Sequence, residues 1–214
     1  MNFSTTGVAR ALGALIVAVS IAACGGASTS TSHSQTARVA VQAPPPSYQG
    51  PTLANPAPAP PLVLDNYLGR RVDLSRYRGR AVLVTFIYTH CPDVCPLIVA
   101  SLHNALDRLG PTARNVAVVG VSTDPRGDTP TAIRVFLSER GMLGRMQYLV
   151  GSRSTLVPVW RAWGIDASHP TATDEVAHTA VVYGITASGR IVTAYPSNFT
   201  PAQVAHDVPL LAAQ

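Results

Sequence analysis

The sequence of 214 residues contains no lysine, and all 16 of its basic residues are arginine. Charged residues make up 13% of the chain, about half of ordinary usage. The formal net charge of +5 is spread along the chain and does not form the basic stripe of a nucleic-acid-binding protein. We therefore expect no nucleic-acid partner.

Long apolar runs and cysteines are also scarce. No apolar run approaches the length of about 18 residues that a conventional transmembrane helix needs. The three cysteines, Cys24, Cys91 and Cys95, are too few for a disulfide-dense mini-protein. They divide into one residue near the N-terminus and one close pair, so two separate roles are expected.

An apolar stretch over residues 11–23 ends in small residues. It has the length of a signal-peptide core and is too short to span a bilayer comfortably. The segment Ile21-Ala22-Ala23-Cys24, followed by two glycines, resembles the bacterial lipobox, in which the cysteine is lipidated and becomes the mature N-terminus. The resemblance predicts a lipoprotein signal peptide over residues 1–23 and a lipid anchor at Cys24, on the outer, extracytoplasmic face of a bacterial cell membrane. An ordinary signal peptide with an incidental cysteine is the alternative.

The next segment, residues 25–61, begins rich in Gly, Ala, Ser and Thr and holds 8 of the 18 prolines. This composition is typical of a flexible spacer followed by stiff polyproline II, and the prolines argue against strand ladders. We predict a lipidated N-terminus and tether over residues 24–60 and one domain over residues 61–214, long enough to bury a good core.

Within that domain the pattern predicts alternating strands and helices. Two continuous apolar, β-branched runs indicate strands covered on both faces. Each run is followed by a segment whose apolar residues recur with the spacing of a helix. The fold class is therefore α/β, with a central mixed sheet flanked by helices and an extra N-terminal hairpin. Strands are predicted at 62–64, 72–74, 81–87, 116–121, 179–185 and 190–195, and helices at 97–109, 130–140, near 153–163 and from Thr200-Pro201 onward, the last shortened or kinked by Pro209.

The strongest chemical signal is the segment YTHCPDVCP at residues 88–96, directly after a predicted buried strand. A residue before proline is disfavoured in the helical region, so Cys91 and Cys95 are predicted to be extended, in a loop. Pro96 suits the first turn of a helix, which makes Cys95 the predicted N-cap, where the helix dipole favours its thiolate. An inert thiol pair or a passive disulfide is the alternative.

Two thiolates are soft ligands that suit Cu(I), zinc or an iron–sulfur cluster, but they are too few for a structural zinc site or an ordinary cluster. A histidine from elsewhere would complete a three-coordinate site that copper accepts. On spacing, His178 is favoured because it lies just before a predicted strand, at a sheet edge where sites gather. His169 is a weaker candidate, and His90 would point away from Cys91 if strand alternation continues. His103 and His206 fit surface positions on helices.

Three segments in order, YTHCPDVCP at 88–96, DPRGDTP at 124–130 and VAHTA at 176–180, resemble the Sco/SenC family over roughly residues 60–214. That family consists of membrane-attached, thioredoxin-like copper-binding proteins linked to cytochrome oxidase assembly. The resemblance implies a thioredoxin-like fold and a partner in the copper-accepting subunit II of cytochrome c oxidase. Other copper or thiol-redox proteins of the cell envelope are further expected partners.

The resemblance also implies the ligands. Cys91, Cys95 and His178 match the family's copper ligands, for one ion per domain carried as Cu(I), Cu(II) or both. Asp124 and Asp128 match the family's aspartate-proline loop and its second aspartate; they are candidates for supporting the site or docking a partner, with turn formation and helix capping as the alternative. This sequence departs from the family pattern at Ala177, where many members have Asp, and at Gly127, where Arg is common.

Two functions therefore share the same cysteines. The first is a metallochaperone, which is not an enzyme; it would deliver copper to the dinuclear copper centre of the oxidase or maintain the thiols of that centre. The alternative is a thiol–disulfide oxidoreductase of the cell envelope in which Cys91 and Cys95 are the catalytic redox pair. A disulfide cannot bind copper, so oxidation would switch one role to the other. A third function, thiol peroxidase, lacks a supporting pocket motif.

Overall fold

The computed structural model describes residues 47–166 and 180–214, which belong to one compact unit, Pro44–Gln214. Strands and helices alternate along these residues, and none of the helices there has the length and apolar character needed to cross a bilayer. The strands are β1 (Thr52–Pro58), β2 (Val63–Asn66), β3 (Arg71–Asp73), β4 (Ala81–Ile87), β5 (Val116–Ser122), β6 (Met146–Val150), β7 (Val181–Ile185) and β8 (Arg190–Pro196), and the α-helices are α1 (Val94–Leu109), α2 (Pro130–Glu139), α3 (Arg153–Ala162) and α4 (Pro201–Ala212).

The strands form one mixed sheet in the order β1-β8-β7-β4-β5-β6-β2-β3. Strands β4, β5 and β6 run parallel, and the other neighbours pair antiparallel. Every residue of β4 and β5 is buried, as expected for apolar, β-branched strands covered on both faces. The predicted central mixed sheet and the predicted N-terminal hairpin, β2–β3, are both confirmed.

Alternate residues of β4 face two separate hydrophobic cores. Leu83 and Ile87 pack in the core that α1, α2 and α4 cover. Val84 packs in the opposite core with Trp160 of α3 and with Trp163, both of which are buried. Helices therefore cover both faces of the sheet, and β4 ends between them.

Local sequence signals explain where two helices begin. The Thr129 hydroxyl accepts the N–H of Ala132, with Pro130 as the first residue of α2, as predicted. Helix α4 begins at a capping box of Thr200 and Gln203. It then continues through Pro209 to Ala212, so the predicted shortening does not occur. Because buried residues on both sides of the proline hold α4 against the core, the missing N–H is tolerated.

Strands β1 and β6 do not follow from the sequence analysis. Strand β1 lies in the proline-rich segment, and the prediction that this segment forms no ladder is wrong for Thr52–Pro58. Proline is tolerated there because β1 is an edge strand that, among the described residues, pairs only with β8, in an irregular register between Thr52 and Ala57. The folded part of the chain thus begins before residue 61.

Candidate metal and thiol site

The cysteine pair lies where β4 ends and α1 begins. The N–H of Cys91 donates to the carbonyl of Tyr88 at 3.4 Å and closes a turn. Cys91 is in the loop, as predicted, but α1 begins at Val94, so Cys95 is the second residue of the helix. The predicted loop position and N-cap role of Cys95 are therefore wrong.

The position of Pro96 explains the earlier helix start. Pro96 is the third residue of α1, where a backbone N–H has no partner within the helix, so its absence costs no hydrogen bond. Placing Cys95 in a helical conformation before proline is unfavourable locally. The complete burial of Cys95 in the core beneath α1 offsets that cost.

The sulfur of Cys91 takes the place of a side-chain cap at the N-terminus of α1. The N-cap residue, Asp93, makes no side-chain capping hydrogen bond. Instead the Sγ of Cys91 accepts the backbone N–H of Cys95 at 3.3 Å. The positive end of the helix dipole therefore favours the thiolate of Cys91, where the sequence analysis assigned this effect to Cys95.

The two thiols differ in acidity. The Cys95 thiol donates a hydrogen bond to the Cys91 sulfur, and this bond, helped by the backbone N–H groups of Cys95 and Asp93 and by the Tyr88 side chain, lowers the pKa of Cys91 to about 5 although burial opposes the shift. The same bond, followed by burial, raises the pKa of Cys95. At neutral pH the site therefore holds a Cys91 thiolate beside a Cys95 thiol.

Asp128 is buried beneath the loop that follows β4, and its carboxylate accepts four hydrogen bonds. Thr89 donates two of them, from its backbone N–H at 2.7 Å and from its hydroxyl at 2.8 Å. The hydroxyls of Ser122 and Tyr148 donate the others, at 2.5 and 2.9 Å. Burial raises the pKa of Asp128, while these donors act in the opposite direction. The carboxylate thus ties β5 and β6 to the loop.

Asp124 forms the turn before α2. Its carboxylate accepts the N–H of Arg126 at 3.1 Å, and its carbonyl accepts the N–H of Asp128 at 3.0 Å. Neither aspartate caps α2, because Thr129 does so. A Cβ added at Gly127 would lie 2.2 Å from the Asp124 Oδ2 and 2.9 Å from the His90 Nδ1, so the glycine leaves room for both side chains.

Three histidines can be placed in the described part of the chain. His90 is exposed, with its Nδ1 3.2 Å from the hydroxyl of Thr89. His103 contacts Asp107 on α1, and His206 contacts Asp207 on α4. Across residues 47–166 and 180–214, no group of three or more His, Cys, Asp and Glu side chains could hold a metal ion.

Cys24, His169 and His178 lie outside the described residues. The predicted lipidation site and the predicted third copper ligand therefore stay predictions. Within the described residues, Cys91 and Cys95 form no disulfide, and they offer two soft sulfur donors, one from the loop before α1 and one from its first turn. This donor pair fits Cu(I) and needs a further ligand to complete a three-coordinate site.

Sequence reasoning missed Thr89, Ser122 and Tyr148 as parts of this site. Tyr148 gave one usable signal, since a tyrosine in a short apolar run needs a partner for its hydroxyl once it is buried. The sequence analysis predicts no strand over the run MQYLV, which forms β6, so the sequence alone does not place this tyrosine. Thr89 and Ser122 are ordinary polar residues at strand ends, and only the fold brings them to Asp128.

A mixed sheet with helices on both faces, and a cysteine pair where a central strand ends and the following helix begins, define a thioredoxin-like dithiol protein. The SCO1/SenC family model matches residues 52–213. This chain belongs to the SCO1/SenC family.

Solved structures and a sequence relative resemble this chain. ScoI of Bradyrhizobium japonicum, solved with copper bound, is 29% identical with a TM-score of 0.64, over 72% of this chain and 99% of that one. ScoI of Arabidopsis thaliana, also solved with copper bound, is 26% identical with a TM-score of 0.64, over 74% of this chain and 99% of that one. The mitochondrial protein SCO1 homolog of Homo sapiens is 28% identical over 162 residues, which cover 73% of this chain and 53% of that protein, so the match spans about half of the human relative.

Proposed function

We propose that this chain is a copper metallochaperone of the bacterial cell envelope that delivers copper to the dinuclear copper centre of cytochrome c oxidase subunit II, or keeps the thiols of that centre reduced. The observation that carries the proposal is the paired placement of Cys91 and Cys95 at the start of α1, with the sulfur of Cys91 3.3 Å from the Cys95 N–H. The N-terminus of a helix stabilises a thiolate, and a pair of cysteines suits a soft metal ion.

One copper ion, as Cu(I), Cu(II) or both, would be held by Cys91 and Cys95 together with His178. Soft thiolates suit Cu(I), and the relatives from Bradyrhizobium japonicum and Arabidopsis thaliana that were solved with copper bound support the assignment of the metal. Cys91 is 8% exposed and Cys95 is fully buried. A partner with thiolates of its own would therefore begin ligand exchange from the Cys91 side.

The same proposal includes a membrane anchor. Residues 1–23 would be removed as a signal peptide, Cys24 would carry the lipid on the extracytoplasmic face, and a tether would lead to the thioredoxin-like domain. Strand β1 shortens this tether, because regular structure begins at Thr52. The remaining spacer, rich in Ser, Thr and Pro, supports a domain that can reach a membrane-embedded partner.

Copper titration of the reduced chain tests the proposal, with absorption and EPR spectra followed at each addition. We expect one ion per chain, and we expect Cys91→Ser and Cys95→Ser each to abolish tight binding. The chain oxidised to the Cys91–Cys95 disulfide should bind none, which is the internal control for the thiol requirement. Unchanged binding in both serine variants would contradict the proposal.

The unequal acidity of the two thiols favours a second function, thiol–disulfide oxidoreductase. The Cys91 thiolate would attack a partner disulfide, forming a mixed disulfide and releasing one partner thiolate. Cys95 would then lose its proton to solvent and attack the Cys91 sulfur, so that the second partner thiolate leaves and Cys91–Cys95 becomes the disulfide. Two electrons pass to the partner. In this function Cys95→Ser would trap the mixed disulfide, and His178→Ala would leave the reduction rate unchanged.

A further inference from the structure

The hydrogen bonds of Asp128 converge on the short segment that leads to Cys91. Thr89 donates two of them, and the Tyr148 hydroxyl, which donates to Asp128, also lies 3.3 Å from the carbonyl of Ile87. Residues 87 and 89 are thus both held, one on each side of Tyr88. These hydrogen bonds on either side of Tyr88, at Ile87 and Thr89, are called the Asp128 bracket below, and they fix the position of Tyr88.

Tyr88 in turn contacts Cys91 in two ways. Its carbonyl accepts the N–H of Cys91 at 3.4 Å, and its side chain forms a hydrogen bond with the Cys91 sulfur. A movement of Tyr88 would therefore move the Cys91 sulfur relative to the Cys95 N–H that it accepts. No contact of Asp128 with substrate or metal is needed for this effect.

Burying the Asp128 carboxylate costs free energy unless its hydrogen-bond donors stay in place. Asp128 is 6% exposed, and burying a charge without partners costs several kcal/mol. Its donors come from three elements, namely Thr89 after β4, Ser122 at the end of β5 and Tyr148 in β6. A buried hydrogen-bond network of this kind is stable only when every donor and acceptor keeps its position. The network therefore also fixes the loop after β4, to which Thr89 belongs.

We propose that Asp128 is a positioning residue of the thiol site: it fixes the turn from Tyr88 to Cys91 and thereby holds the Cys91 sulfur at the first turn of α1. The thiol part of this inference holds for either function of the pair, and only its copper part rests on the proposed function. Without the Asp128 bracket, the Cys91 thiolate would lose the hydrogen bonds from the Cys95 N–H and the Tyr88 side chain. Because these bonds stabilise the reduced pair, their loss would shift the equilibrium toward the disulfide.

Asp207 provides a matched control, because it is a buried carboxylate with a similar set of donors at a different place. It accepts the backbone N–H groups of Gln49 and Gly50, both at 2.8 Å, and the Tyr195 hydroxyl at 2.9 Å. In the described part of the chain its hydrogen bonds reach no residue of the Tyr88–Cys91 turn. Asp128→Asn and Asp207→Asn therefore both weaken a buried network, and the proposal assigns a thiol effect only to the first.

The experiment equilibrates the full chain with glutathione redox buffers and measures the Cys91–Cys95 dithiol and disulfide forms by alkylation and peptide mass mapping. We expect Asp128→Asn to shift the equilibrium constant about tenfold toward the disulfide, which is about 30 mV for a two-electron couple. Asp207→Asn should remain within about twofold of the wild type. Copper affinity, measured separately, should fall by about 10–100-fold in Asp128→Asn, as is typical when a group that orients a metal ligand is lost.

A second pair of variants keeps the test decisive if Asp128→Asn fails to fold. Thr89→Val removes one hydrogen bond to Asp128, and Thr89→Ser retains the hydroxyl that makes it. We expect Thr89→Val to shift the equilibrium toward the disulfide and Thr89→Ser to stay near the wild type. A folded Asp128→Asn variant with the wild-type equilibrium, or an equal shift in Asp207→Asn, would overturn the proposal. A wild-type chain that binds no copper would refute the proposed chaperone and leave this thiol test intact.

Discussion

The backbone N–H of Cys95 lies 3.3 Å from the sulfur of Cys91 and donates to it. One contact thus joins the start of a helix to the reactive atom of the loop before it. Because the helix supplies the donors, the acidity of Cys91 depends on α1 being folded and on the Cys95 thiol pointing at its sulfur. The reactivity of this pair is a property of the fold.

The first prediction concerns the pH dependence of Cys91. With a pKa of about 5, the rate of Cys91 alkylation by iodoacetamide should rise with pH through a midpoint near 5 and level off above it. An ordinary thiol would have its midpoint near 8.5. Cys95→Ala removes the thiol donor and should move the midpoint upward, and Cys95→Ser, which keeps a hydroxyl donor, should move it less. A wild-type midpoint above 8 would contradict the assignment.

The same pKa carries a consequence for stability. The Cys91 thiol of the unfolded chain holds its proton up to about pH 8.5, and the folded chain releases it near pH 5. Between these values the unfolded state binds the additional proton, so Cys91 makes the free energy of unfolding rise with pH. Urea denaturation of the wild type and of Cys91→Ala at pH 5 and pH 7.5 should show a smaller pH-dependent gain in the variant.

The second prediction concerns the third copper ligand. His178→Ala should weaken copper binding by at least about 10–100-fold. Mutating a residue that only hydrogen-bonds a metal ligand typically has an effect of that size, and loss of a ligand itself should have at least as large an effect. The Cu(II) absorption and EPR spectra should also change. His103→Ala is the control, since its ring lies on α1 and contacts Asp107 of the same helix and Arg145 of the loop before β6. A normal spectrum in His178→Ala with a loss in His90→Ala or His169→Ala would move the third ligand. Normal binding combined with retained disulfide reduction would favour the oxidoreductase.

The third prediction concerns the anchor. Because the lipobox-like segment ends at Cys24, Cys24→Ser should release the protein from the membrane fraction into the soluble envelope or medium fraction, or block its processing. Cell fractionation and the mass of the mature chain measure both outcomes. Membrane retention with normal processing in the variant would show that Cys24 is not lipidated.

The fourth prediction concerns the segment before β1. A Cβ added at Gly50 would lie 2.0 Å from the ring of Tyr195, which is fully buried and donates to Asp207. Gly50→Ala should therefore lower the free energy of unfolding by about 1–3 kcal/mol, the usual cost of overpacking. Gly151→Ala is the matched control, because its added Cβ would meet nothing nearer than 3.4 Å. Thermal denaturation compares the two; equal losses would show that Gly50 is not packed in this way.

The central part of the fold could be predicted from the sequence because its signals are local. The apolar runs of β4 and β5 and the Thr129-Pro130 start of α2 each carry their own evidence, and the structure confirms them. Strand β1 could not be predicted in this way. Its prolines oppose a ladder locally, and only the edge position beside β8 removes the objection.

The site shows the same division between local and tertiary causes. The motif placed Cys91 correctly in the loop after a strand, but it put Cys95 outside the helix and assigned the acidic thiol to the wrong cysteine. The local rule placed Cys95 outside the helix, and burial of Cys95 in the core overrode that rule. The support given by Asp128 joins residues from three elements, and no spacing in the sequence encodes those distances.

The two edge strands of the sheet, β1 and β3, affect how readily copies of the domain aggregate at high local concentration. An open edge offers unpaired N–H and C=O groups to another chain and invites sheet-to-sheet aggregation. One edge is β1, where Pro56 and Pro58 have no N–H to offer. The other is β3, with three residues, Arg71 to Asp73, that include two charges. Among the described strands, these two edges therefore offer crowded copies of the domain few backbone groups on which to assemble fibrils.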